Sequence, residues 1–248
     1  MKRTIQLLIF TSFFCGILNA QEKWVKMGPS GPVALVFKSN RTVEVDFGDD
    51  QNIDVVTYYE TEGNSITFTD KEGAMCPEPG VYKIEKNGYY LSFDLKNDMC
   101  NGRIKMTMGY WTKPNFEELL GELSQKLSET ENAELNLTRA RIYLALGKSN
   151  EAKADLDIYL EQNPNDAKAL INRAGTRFPT EMEGVVSDCN KAINLEPDNK
   201  NAYFLRGLAH YELGQKKQAC EDFSKAIDLG FSILKIVEEQ RCAEFWEN

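Results

Sequence analysis

Residues 203–229 read YFLRGLAHYELGQKKQACEDFSKAIDL, two amphipathic runs at helical spacing broken by Leu213-Gly214. Small residues recur at Gly207, Ala219 and Ala226, where two helices must approach closely. The stretch therefore predicts a helical hairpin. Such a unit cannot bury its own apolar face, so further copies should flank it.

The copies are present. The proline-centred ends at Pro164 and Pro197 lie 33 residues apart, and Ala169–Ala174 falls on Ala202–Gly207. An earlier copy runs from Leu137 to Leu160, with Ala140, Leu146-Gly147 and Ala152 where the last has Gly207, Leu213-Gly214 and Ala219. This pattern resembles the tetratricopeptide repeat family, helix–turn–helix units of about 34 residues with these small positions, a Leu-Gly turn and a terminal proline. Three repeats are read at 131–164, 165–198 and 199–230. The middle one departs at Phe178-Pro179-Thr180, where the proline should end its first helix early. Ahead of the repeats, Pro114-Asn115 opens a helix carrying Phe116, Leu119, Leu120, Leu123 and Leu127. Behind them, Gly230 stops the last helix, and Ile233, Leu234, Val237 and Phe245 predict a capping helix.

From Val33 the period changes to two. Alternating runs at 33–37, 42–47, 55–59, 65–68, 81–84, 89–93 and 103–108 read as strands, separated by turn residues of which Asn87-Gly88 is the strongest hairpin signal. Sequential hairpins make an antiparallel meander that closes into a small barrel or a two-layer sheet. The fold class is thus α+β in two domains: a small antiparallel barrel at 21–112, then an all-α helical-hairpin solenoid at 113–248. The linker between them is short, so the two domains should pack together.

Met1–Ala20 has Lys2 and Arg3, then an apolar stretch, then a small residue before Gln21, the build of a secretory signal peptide cleaved after Ala20. The expectation is an exported protein, periplasmic or secreted, with no membrane insertion after cleavage. Cleavage removes two of the 29 basic residues and none of the 38 acidic ones, leaving a net charge of −11. That charge disfavours nucleic acid and anionic membranes. Five cysteines remain, and in an exported chain they are disulfide candidates. Cys76 and Cys100 flank the 81–93 hairpin, where a bridge ties its entry to its exit.

Thr67–Asp70, Cys76-Pro77 with Gly80-Val81-Tyr82, Gly88–Leu91, Cys100 with Gly102-Arg103, and Trp111 together resemble small lipocalin-like domains of exported bacterial proteins. That resemblance raises a small apolar ligand inside the barrel as an alternative function, with the repeats serving assembly. In exported repeat proteins that end in this style, a pair such as Cys220 and Cys242 looks like a clamp of the terminal helix. Two buried free thiols are the other reading, and Cys189 is left as a buried small hydrophobe.

In the repeat family the first helices line the concave surface. Carried over by position, the residues facing a protein or peptide partner are Leu137, Arg141 and Leu144, then Ile171, Gly175 and Phe178, then Phe204, Leu208 and Tyr211. The same residues have a second reading, packing against a neighbouring repeat or the strand domain. The Lys and Asn of the family's carboxylate clamps are absent from these positions, which disfavours recognition of a free carboxyl terminus. His210 is the only histidine and has no recognisable nucleophile beside it. No phosphate loop, dinucleotide fingerprint or zinc-ligand spacing occurs, and the acidic run Asp46, Asp49, Asp50, Asp54 lacks calcium-loop spacing. The expectation is a non-catalytic interaction or scaffold protein with no cofactor and no metal.

Overall fold

The computed structural model describes residues 18, 21–70, 76, 78–231 and 242. Eight strands close an antiparallel barrel in chain order: β1 (Lys23–Gly28), β2 (Gly31–Phe37), β3 (Thr42–Phe47), β4 (Val55–Glu62), β5 (Ser65–Asp70), β6 (Gly80–Lys86), β7 (Tyr90–Asn97) and β8 (Tyr110–Thr112). Closure comes from β8, which pairs Leu91↔Trp111 with β7 and Val25↔Thr112 with β1. The Asn87-Gly88 turn is held by the Asn87 side-chain oxygen, which accepts from the N–H groups of Tyr89 and Tyr90. Alternation fills the interior with one cluster that includes Trp24, Leu35, Phe37, Ile66, Phe68, Tyr82, Leu91, Phe93 and Trp111. Phe68, Tyr82 and Phe93 meet edge-on within it. Leu18, from the stretch read as a signal peptide, is 8% exposed and joins this cluster, a contact that cleavage after Ala20 removes. The rest of that stretch lies outside the described residues.

Two local expectations are corrected. Strand β1 precedes the first one read from the sequence, because Trp24 and Val25 are flanked by lysines whose long stems disguise the alternation. Residues 103–108 are not a strand: α1 spans Asn101–Thr107. Arg103, Ile104 and Thr107 are its buried residues, a spacing of three and four that a seven-residue window confuses with alternation. Cys100 caps the helix and is bridged to Cys76 with Cα atoms 5.5 Å apart. The Arg103 guanidinium then locks the barrel end, donating to Asp98 (2.6 and 2.9 Å), Asp70 (3.0 Å) and the Glu78 carbonyl (2.6 Å). Lys26 finishes α1 by donating to the carbonyls of Met106 and Met108.

Seven further helices follow: α2 (Phe116–Glu129), α3 (Ala133–Ala145), α4 (Ser149–Gln162), α5 (Ala167–Arg177), α6 (Met182–Leu195), α7 (Lys200–Glu212) and α8 (Lys216–Asp228). Pairs α3–α4, α5–α6 and α7–α8 are hairpins. Their first helices share one start signal, since the side chains of Asn132, Asp166 and Asn199 each accept N–H groups of the first turn. Gly147 and Gly214 take φ of +68° and +74° at the Leu-Gly turns, a conformation that favours glycine. In the middle repeat α5 stops at Arg177, before the cis bond between Phe178 and Pro179, and has 11 residues against 13 in α3 and α7. Cys220 is bridged to Cys242 with Cα atoms 5.7 Å apart, and Cys189 is buried and free. The expected capping helix falls on residues outside those described.

Candidate protein-binding face

The repeats are stitched by a recurring arginine. Arg139, Arg173 and Arg206 each grip a buried aspartate of their own second helix through two nitrogens: Asp155 (2.8 and 2.7 Å), Asp188 (2.9 and 2.6 Å) and Asp222 (2.9 and 2.6 Å). The remaining nitrogen of each reaches back to the preceding helix, to Ser124 (3.0 Å), Asp157 (2.9 Å) and Asn190 (2.6 Å). Planar guanidinium geometry suits this task, since one group serves three helices at fixed angles. Helix α2 thus occupies the place of a second helix ahead of the first repeat. These pairs recur at separations of 16, 15 and 16 residues, a signal that aligning the repeats column by column exposes.

With the hairpins fixed, their first helices present side chains to the barrel. Arg141 donates to the Tyr90 hydroxyl, pairs with Glu85 at 3.1 Å, and lies 4.6 Å from the Tyr90 ring centre. Lys168 donates to Glu85 (2.7 Å) and Asp94 (3.4 Å), and Asn172 donates to the Tyr110 hydroxyl (2.9 Å). Tyr90 and Tyr110 meet edge-on at 5.7 Å and pack with Ala145 and Leu144. Burial pushes the Glu85 carboxyl up, but hydrogen bonds from Lys168 and Tyr90 and the charge of Arg141 outweigh it, holding Glu85 below its usual range. Burial likewise opposes the charged form of Lys168, and Tyr110, Glu85 and Asp94 reverse the effect. Tyr90 is held protonated by burial and by its bond to Glu85. At the far end, burial and the nearby Lys96 lower the pKa of Lys200.

The residues assigned to the face by position therefore divide. Leu137 is 3% exposed and lies in the core between α3, α4 and α5. Arg141 and Leu144 are covered by the barrel. Ile171 packs half-buried against the first core, and Phe178 sits between α5, α6 and α7 with Met182, Val185 and Leu205. Phe204, Leu208 and Tyr211 pack half-buried against Phe223, Phe231 and the Cys220–Cys242 bridge, with Phe204 stacked on Phe231 at 4.7 Å. Sequence reading missed Lys168, Asn172 and Lys200, polar residues of first helices with no apolar pattern to mark them. His210 contacts Gln215 through Nδ1. Asp46 and Asp54 accept N–H groups of Asp50, Gln51 and Phe47, so both carboxylates brace their own loop. Among the described residues one metal-sized cluster occurs, Asp70 with Cys76 and Cys100, and its two sulfurs are in the bridge.

Family profiles described as tetratricopeptide repeat match residues 137–178 and 201–230. The helical half contains tetratricopeptide repeats. Among curated relatives, the human mitochondrial import receptor subunit TOM70 is 31% identical over 128 residues, 48% of this chain and 21% of its own. The rat protein of that name is 27% identical over 233 residues, 90% of this chain and 33% of its own. The chain thus spans a third or less of the length of these tetratricopeptide relatives. Among solved structures, one titled crystal structure of MamA protein is 22% identical with a TM-score of 0.45, covering 46% of this chain and 64% of that one. The first repeat domain of Spaghetti (RPAP3), bound to an HSP90 peptide, is 24% identical with a TM-score of 0.42, covering 45% and 92%. Likenesses of that size carry no functional argument.

Proposed function

We propose that the protein is a non-catalytic, exported interaction protein that binds another protein or peptide through the first-helix face of its repeats. The observation that supports this is the occupied state of that face. Strand β7 and its neighbours are held there by side chains of successive first helices, so the face is chemically competent to grip an extended segment. Relatives named as an import receptor subunit agree in kind. Two cystine bridges favour an oxidising compartment, and no helix among the described residues is long and apolar enough to cross a membrane. The barrel interior is filled by its own aromatic cluster, so no observation favours the apolar-ligand alternative over this reading.

Crosslinking pull-down from the protein's own source tests it. The expected result is a protein partner retained by the wild type and lost from the triple variant Phe204→Ala, Leu208→Ala, Tyr211→Ala. A partner held equally by that variant removes this part of the face from the assignment. A co-purifying lipid-sized molecule in native mass spectrometry overturns it in favour of the barrel.

A further inference from the structure

Strand β7 has two faces with separate duties. Leu91, Phe93 and Leu95 point into the barrel core, so Tyr90, Ser92, Asp94 and Lys96 point outward, by alternation. Those outward residues run across the first helices in order. Tyr90 meets Arg141 of α3 and Asp94 meets Lys168 of α5. Glu85 of the adjacent strand β6 serves both Arg141 and Lys168. The barrel edge lies on the repeats as an extended peptide would, with alternate side chains read by successive repeats.

The match is incomplete. Arg141 Nε and Ser92 Oγ are buried at this contact with no hydrogen-bond partner, each a desolvation cost without return. The ion pairs of Lys168 are partly exposed, with side-chain exposures of 36% for Glu85 and Lys168 and 47% for Asp94, so each contributes little. The bonds of Arg141 and Asn172 to the buried Tyr90 and Tyr110 hydroxyls are the firmer part of the contact. The covalent connection is three residues, 113–115, between the end of β8 and the start of α2.

We infer that the barrel is a resident ligand of its own repeats, closing the first-helix face until it is displaced by an extended segment that carries a tyrosine and a carboxylate four residues apart. The inference rests on the reading that this face binds protein. It adds the chemistry of the partner and the element the partner competes with.

A synthetic peptide copying residues 82–95, which contain Glu85, Tyr90 and Asp94, is the probe for full-length protein with its bridges formed. Two variants act in opposite directions. Glu85→Gln with Asp94→Asn removes the carboxylates that hold Arg141 and Lys168, and should tighten peptide binding about tenfold over wild type, the worth of the three ion pairs lost. Met27→Cys with Gly147→Cys should lock the barrel in place, because a Cβ at Gly147 lies 3.8 Å from that of Met27, within disulfide reach; Met27→Ser with Gly147→Cys carries the same strain at φ +68° without the bridge and should still bind. The locked protein should lose binding.

If the locked protein binds the peptide as well as wild type, or the release variant gains nothing, the resident-ligand inference is wrong. The interaction reading is judged separately: a pulled-down partner lost with Phe204, Leu208 and Tyr211 keeps it, whatever the peptide does.

Discussion

Replacing Asp188 by alanine should cost the helical half more than any other single change in its arginine stitches. The Asp188 carboxylate is 3% exposed and accepts three charged hydrogen bonds, two from Arg173 (2.9 and 2.6 Å) and one from Arg177 (2.6 Å), both arginines 17% exposed. Its counterpart in the last repeat, Asp222, accepts hydrogen bonds from Arg206 alone. Removing one partner of a buried pair strands the other charge, at about 3–5 kcal/mol. The lower end applies, because Arg173 retains Asp157 at 2.9 Å and Arg177 retains Glu181 at 3.5 Å. The expected loss is therefore about 3 kcal/mol for Asp188→Ala, against about 2 kcal/mol for Asp222→Ala, where charged hydrogen bonds to a single arginine are lost. Urea unfolding followed by circular dichroism at 222 nm reads this directly. With a slope of about 2 kcal/mol/M, the Asp188 midpoint should fall by roughly 1.5 M with the slope unchanged. Adding Arg177→Met to Asp188→Ala should recover about 1 kcal/mol, since a guanidinium that has lost its nearest carboxylate is replaced by an apolar chain. If Asp188→Ala costs no more than Asp222→Ala, the shared carboxylate is not the keystone described here.

Acid should loosen the barrel through Asp98. Burial pushes this carboxyl up, but bonds from Arg103, Tyr82 and the Cys100 N–H outweigh it, leaving it below the usual range. A carboxyl whose folded pKa lies below its unfolded value of about 3.9 adds stability above that pH and loses it as pH falls further. Tryptophan fluorescence in urea should therefore show a midpoint falling between pH about 5 and about 3, and Asp98→Asn should flatten that fall. Gly80→Ala should cost the barrel about 3 kcal/mol by overpacking, since a Cβ there would lie 1.9 Å from Asp98 Oδ2 and 2.7 Å from Arg103 Nε; a midpoint within error of wild type contradicts this. The Cys189 thiol is pushed up to about 12 by burial and the neighbouring Asp188. Iodoacetamide at pH about 8 should alkylate it only as fast as the helices unfold, and rapid labelling of the folded protein would show it is reachable.

The repeats were legible because their signals are local and fixed by backbone geometry. Leu146-Gly147 and Leu213-Gly214 mark left-handed turns, and Gly207 leaves room for the Phe223 ring, which a Cβ would approach to 2.7 Å. Strands β2 to β7 were legible for the same reason, since alternation reports one buried face. Residues 103–108 were misread because a short helix tied down by a cystine and a buried arginine takes its conformation from tertiary contacts. The face was another matter. Helical spacing puts Arg141 and Leu144 on one face, but spacing says which residues share a face and nothing about what covers it.

The covering partner explains why. Glu85, Tyr90 and Asp94 occupy the outward positions of strands whose alternate residues, Leu91 and Phe93 among them, fill the barrel core. In the fold Tyr90 is 4% exposed and Ser92 4%. A polar residue on a strand's outer face has two fates, solvent or a second domain, and its sequence neighbours are the same in both. What separates them is complementarity at long range. Carboxylates on β6 and β7 stand against cations on α3 and α5, and each set is unremarkable until the other is placed opposite. The mismatches at this contact are Arg141 Nε and Ser92 Oγ, both buried with no hydrogen-bond partner. A contact selected only to hold two domains together would gain from a partner for each of these groups, whereas a contact that must also open gains from leaving them unpaired.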